Sequence, residues 1–220
     1  MKHLSLFIAL SFLLLIPLNL SAKASLHYVN FTTEELKNIQ GHYSTVYGYL
    51  YIRVRGKQVN TRYNGKYIQL IKKSDGHYYP RYKFLWVFPI QIGNMSFSLK
   101  RTFRGKTQIV MHEKNISRVV AQKFIAKPIP VAWKKRLGTY KATRIKGNAN
   151  IKKVRLAIQN GVLVSFTNEL TSPYPLVAKS DTQLTSPSAG HNNDRAIKIS
   201  MTKHAIILAF ESNKLKLIKQ

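Results

Sequence analysis

Between Tyr49 and Arg55 apolar and polar positions alternate: Leu50, Ile52 and Val54 share one face, and Tyr49, Tyr51, Arg53 and Arg55 share the other. Successive side chains of a strand point to opposite sides, so this period predicts a strand buried on one face only. Gly56-Lys57 ends it as a turn, and similar short stretches return at 58–63, 67–71, 78–87, 95–101, 107–112 and 117–125. Asn64-Gly65, Asp75-Gly76, Gly93-Asn94 and Arg104-Gly105 separate them. Asn-Gly and Asp-Gly suit hairpins because both central residues of a tight turn need positive φ. Before the first strand, Thr32-Thr33-Glu34-Glu35 has the spacing of a capping box, with Thr32 as N-cap and Glu35 reaching back to it, which predicts a short helix over 33–39. Many short strands with such punctuation predict an all-β sandwich or barrel.

The ladder stops at Lys127-Pro128-Ile129-Pro130, where two prolines remove backbone donors and favour an extended linker. The pattern then begins again. Trp133-Lys134-Lys135-Arg136-Leu137 takes the place of Leu36-Lys37-Asn38-Ile39, and Gly138-Thr139-Tyr140 repeats Gly41-His42-Tyr43. Further strands are expected at 154–159, 162–166, 176–180, 196–202, 205–211 and 215–219, with Asn160-Gly161 as a hairpin turn. The chain therefore reads as two copies of one β-unit. Residues 182–194, rich in Ser, Pro, Gly and Asn, read as one long flexible loop.

The order Gly-x-Tyr, Asn160-Gly161-Val162-Leu163, Pro175-Leu176-Val177-Ala178-Lys179-Ser180 and Ile206-Ile207-Leu208-Ala209-Phe210 resembles the lipocalin-like β domain of serine β-lactamase-like and penicillin-binding-protein-like hydrolases. In that family the β domain is an accessory that follows the catalytic domain. The resemblance covers residues 36 to 220 and implies lipocalin-like β-units, so that with the repeat and the capping box the expected fold is all-β, two lipocalin-like antiparallel barrel or sandwich units in tandem preceded by a short helix. It also implies a role as an accessory beside a serine hydrolase partner.

The first residues have another use. Lys2 and His3 precede an apolar run from Leu4 to Leu20 that ends in Ala22-Lys23-Ala24, the layout of a secretory signal. The expected organisation is a signal peptide over 1–24, a first β unit over 25–127, a linker over 128–133 and a second unit over 134–220. With no cysteine anywhere, a bacterial periplasmic or secreted product fits better than a disulfide-stapled one. The 36 Lys+Arg against 8 Asp+Glu give a net charge of +28, which favours association with polyanions: an anionic envelope surface, lipopolysaccharide, or nucleic acid without sequence preference.

Catalytic motifs are fragmentary. Ser200-Met201-Thr202-Lys203 has Ser-x-x-Lys spacing but falls in an expected strand, whereas the working motif opens a helix. Ser180-Asp181-Thr182 lacks the asparagine and Lys106-Thr107-Gln108 the glycine that would complete it. His3, His27, His42, His77, His112, His191 and His204 stand without a second ligand at metal spacing, and no phosphate-cradling glycine loop occurs. No cofactor or catalytic set is expected. The sharpest candidate is a binding face of Tyr49, Tyr51, Arg53, Arg55, Arg62, Tyr63, Lys66 and Tyr67, where aromatic planes and guanidinium groups would share adjoining strands. The expected function is that of an exported, non-catalytic binding or accessory module for an amphipathic, protein or cell-wall ligand. A polyanion-binding protein and a serine hydrolase are the alternatives.

Overall fold

The computed structural model describes residues 27–45, 48–63, 66–84, 88–91, 95–168, 173–187, 197–202 and 205–220. The expected signal peptide and the turns Asn64-Gly65 and Gly93-Asn94 lie outside them. The chain forms two antiparallel eight-strand rings in tandem. The first contains β2 (Gly41–Thr45), β3 (Gly48–Arg55), β4 (Gln58–Tyr63), β5 (Lys66–Lys73), β6 (Tyr78–Phe84), β8 (Met95–Arg101), β9 (Thr107–Glu113) and β10 (Ile116–Phe124), with β10 pairing back onto β2. Two short strands add to this ring: β1 (Tyr28–Val29) lies on the end of β5, and β7 (Phe88–Gln91) on β6. Closure between β6 and β8 rests on one pair, Tyr78 with Phe97.

The second ring runs in sequence order through β11 (Gly138–Lys146), β12 (Lys153–Gln159), β13 (Val162–Thr167), β14 (Tyr174–Ser180), β15 (Gln183–Thr185), β16 (Lys198–Met201), β17 (Ile206–Phe210) and β18 (Asn213–Lys219), which pairs with β11. Asn160 and Gly161 both have positive φ, as their hairpin requires. Two expectations need correction, and two short strands were not expected. The segment read as one loop over 182–194 contains β15, too short for its alternation to stand out. The edge strands β1 and β7 are too short for a period to show, and neither was among the expected stretches. Trp133, assigned to the linker, belongs to a short helix (Val131–Lys134) and to the core of the second ring, where it is fully buried.

The repeated Gly-x-Tyr has a shared geometry. Gly41 and Gly138 sit at φ +140° and +135°, where a side chain is strained. Two residues on, the buried Tyr43 donates its hydroxyl to Ile39 O at 2.8 Å, and the buried Tyr140 donates to Arg136 O at 2.5 Å. Each hydroxyl therefore satisfies a carbonyl just before its strand, and burial raises the pKa of both phenols. On the closing strands, Lys123 pairs with Tyr43 and Lys219 with Tyr140. A Cβ at Gly41 would meet Lys123 Cε at 2.7 Å, and one at Gly138 would meet Lys219 Cε at 3.4 Å, so a lysine lies across each glycine. Lys123 Nζ goes on to donate to Asn38 O at 2.9 Å.

The helix Thr33–Ile39 covers one end of the first ring. Its capping box forms: Thr32 Oγ1 accepts from Glu35 N, and Thr32 N donates to Glu35 Oε2 at 2.8 Å. Glu35 Oε1 also lies 2.7 Å from Lys72 Nζ, which ties the cap to β5, and Phe31 stacks on Tyr78 at 5.3 Å. Burial pushes the Glu35 pKa up, but Lys72 and Thr32 outweigh it and leave the carboxyl below its ordinary value.

Candidate functional site

The two rings differ inside. The second is filled around Trp133, whose Nε1 donates to Ser180 O at 3.0 Å, with Leu156, Leu184, Ile199, Leu208 and Leu215 all nearly or fully buried around it. In the first copy the residue at the position of Trp133, five before the glycine, is Leu36. The first ring encloses a cavity of about 410 Å³, within the size range of small-ligand pockets. Inward positions of the strands line it: Ile52 on β3, Thr61 on β4, Leu70 on β5, Phe97 on β8, Ile109 on β9 and Ala121 on β10. Ile39 and Tyr78 bound it at the helix end. The Thr61 hydroxyl is already spent on Tyr51 O at 2.9 Å, so this wall is suited to an apolar guest.

At the end opposite the helix the lining includes Thr45, Met95, Glu113 and Arg118, and the last two are exposed. Lys66 begins β5 at the same end, with its Nζ 5.6 Å from the Tyr82 ring. The cavity thus reaches solvent beside two cations and one carboxylate.

The residues expected to form one aromatic and basic face are divided between three places. Tyr49 is 7% exposed and packs with Val162 and Val164 of the second ring, and Tyr51, Phe124, Ala157 and Phe166 complete this seam. The rings meet here through backbone as well: Tyr49 N donates to Pro173 O, and Ser44 Oγ to Pro187 O at 2.8 Å. Neither Tyr49 face is open for stacking. Arg53 and Arg55 are exposed towards the other end of β3, with the Arg53 guanidinium 5.8 Å from the Tyr51 ring. Arg62 pairs with Tyr67 on the outer surface, where both are exposed, and Tyr63 pairs through its backbone with Lys66 at the cavity mouth. Alternation placed the outward face correctly, but a second copy of the fold covering that face is not visible in the period of one strand.

His42 is the titratable group of the seam. Its Nδ1 lies 2.9 Å from the Tyr49 hydroxyl, and its ring is 4.8 Å from Tyr51 and 5.9 Å from Phe124. Burial first, then the charge of Lys123, holds its pKa below the ordinary 6.5. The Tyr49 phenol is pushed up to about 12 by burial. A lowered folded pKa means the unfolded chain takes up the proton first, so stability is full above pH 6.5 and is lost as pH falls through the folded value. Thermal unfolding should therefore occur at lower temperature as pH drops below 6.5, and His42→Gln should flatten that part of the profile. An unchanged slope in the variant would exclude His42 as its source.

Sequence spacing could not show a second cluster, because strand pairing brings it together. His77 and His112 stack at 4.6 Å with planes 5° apart. His77 Nδ1 lies 3.1 Å from Ser96 Oγ, His112 Nε2 lies 2.8 Å from Ser98 Oγ, and His112 Nδ1 lies 2.8 Å from Ser117 Oγ. A serine beside an imidazole is the first contact of a nucleophile–base pair, but the other nitrogen of His112 meets a hydroxyl where a carboxylate would stabilise an imidazolium. Asp75 is engaged elsewhere, accepting from the Tyr79 hydroxyl at 2.5 Å and from His77 N at 3.0 Å. Among the described residues no group of three or more His, Cys, Asp or Glu is placed to hold a metal ion. Ser200 lies in β16 as its sequence context suggested, and Lys203 falls outside the described residues.

Comparisons with protein-family models, with curated proteins and with solved structures returned no match to this chain.

Proposed function

We propose that the protein is a non-catalytic binding module of the bacterial envelope that holds the apolar part of an amphipathic ligand inside its first ring. The cavity carries this reading: eight-strand barrels have room for one small ligand, and here the wall is apolar while at the mouth the two cations Arg118 and Lys66 outnumber the one carboxylate, Glu113. An acyl chain capped by an anionic head group matches both parts. The net charge and the signal-like N-terminus support an envelope setting. An accessory role beside a serine hydrolase remains part of the proposal through the resemblance of the β-units.

A dansyl-labelled fatty acid should bind with one probe per chain and a blue-shifted emission. Ala121 is 1% exposed and lines the cavity, so Ala121→Trp should fill it and abolish the signal while the fold is kept. Leu70→Trp, on a different wall, should do the same. Each buried methylene contributes about 0.8 kcal/mol, so lengthening an unlabelled competitor by two carbons should tighten it by roughly tenfold until the space is full. Probe binding that survives both tryptophans, with circular dichroism unchanged, would place the ligand elsewhere and overturn the proposal.

A further inference from the structure

On the second ring, pairing registers place lysines in rows across neighbouring strands. Lys153 of β12 faces Lys141 of β11, which faces Ile218 of β18. One row along, Thr143 faces Lys216, which faces Ile207 of β17. In the next, Lys146 faces Lys214, which faces Ala209, which faces Lys198 of β16. All six lysines are exposed, and Ile218 is 50% exposed among them. Leu156, Leu208, Leu215 and Leu217 point inward on the same strands, so the lysine rows belong to the outer face.

Two features set this face apart from ordinary solubilising charge. Like charges directly opposite one another destabilise a sheet, yet Lys141 faces Lys153 and Lys146 faces Lys214. The eight strands of this ring contain no Asp or Glu to relieve them, and the nearest carboxylate along the chain from β17 and β18 is Glu211 in their turn. A surface that keeps uncompensated repulsion is complementary to an anionic partner. The uncharged residues in the rows are aliphatic, small or hydroxylic, with no aromatic ring on which bases could stack. Lysine stems that reach out to phosphates around a shallow aliphatic centre suit a lipid surface instead. The seam to the first ring takes Ala157 of β12 with Val162, Val164 and Phe166 of β13, and β13 lies four strands from β17 around the ring, so the rows on β16, β17 and β18 look away from the cavity-bearing partner.

We infer that the outer face of β11, β18, β17 and β16, together with Lys153 at the start of β12, docks on the anionic head groups of a lipid layer. This contact is independent of the ligand proposed for the first ring, since it uses other residues on the other barrel.

Flotation with vesicles tests it. The protein should partition onto phosphatidylglycerol–phosphatidylcholine vesicles and not onto phosphatidylcholine alone, with binding weakened as salt rises. The variant Lys141→Gln/Lys153→Gln/Lys216→Gln loses three charges that reach the surface. At about fivefold for each, its partition should fall by roughly a hundredfold. Arg53→Gln/Arg55→Gln/Lys57→Gln removes the same charge from the first ring and should change partition only a few-fold. Ile218→Ser should matter most at raised salt, where the aliphatic contact is what remains. Thermal unfolding confirms that each variant is folded. Equal losses in the two triple variants would show unspecific charge attraction and overturn the inference. So would a protein that ignores both vesicle types, including one that binds single-stranded DNA instead.

Discussion

Replacing Trp133 by alanine should unfold the second ring while leaving the first assembled. The indole is fully buried in the core of the second ring, and its truncation removes both apolar burial and the bond from Nε1 to Ser180 O. Tryptophan-to-alanine changes in cores cost about 3–5 kcal/mol, a large share of the stability of a single small domain. Trp133→Phe separates the two losses, since it keeps a ring and should cost about 1 kcal/mol or somewhat more for the unpaired carbonyl. Calorimetry should show the wild-type transition divide in the alanine variant, with one component shifted down. A single transition moving as a whole would mean that the rings do not unfold independently. By contrast, Leu36→Ala borders an interior that already has free space and should cost less.

The second large effect is expected at the seam. Val164 is fully buried yet points away from the core of its own ring, towards Tyr49 and Phe124. Val164→Asp puts an unpaired carboxylate between the rings, where burying a charge costs several kcal/mol unless a partner neutralises it. The interior of the second ring is untouched, so the cheapest response is for the seam to open. Small-angle scattering should report a larger radius of gyration, and proteolysis should move to residues 125–130, which have no regular structure between the rings. Tyr49 would become open to solvent. If dimensions and cleavage match the wild type, the contact between the rings does not depend on this patch.

Much of this architecture was readable because it follows from local rules. Alternation in Tyr49–Arg55 gave β3 its two faces, and Thr32 with Glu35 marked the helix start. The repeated Gly-x-Tyr announced the second ring. Each of these signals is carried by residues within one turn or one strand. Long-range pairing was not readable. The stacking of His77 on His112 depends on ring closure, and the burial of Tyr49 depends on a hairpin more than a hundred residues away. The cavity was hidden for a related reason: an inward leucine looks the same in the sequence whether it meets another side chain or empty space. The expected binding face therefore had the right orientation and the wrong neighbours, and its residues are now divided between a seam, an open surface and the cavity mouth.

The glycine–tyrosine–lysine contact at each ring closure also bears on the order in which the protein is assembled. In both rings the first strand pairs with the last, so every hairpin between them can form while the ring itself stays open. Until its final strand arrives, a ring presents two unpaired edges, the feature that invites pairing between chains. A chain growing from its N-terminus completes the first ring at Phe124, before Gly138 opens the second. Nascent chains halted just beyond Phe124 therefore carry every strand that closure requires, whereas those halted before Ile116 leave β2 and β9 exposed to neighbours. Folding intermediates of the first kind should stay dispersed, and those of the second should aggregate.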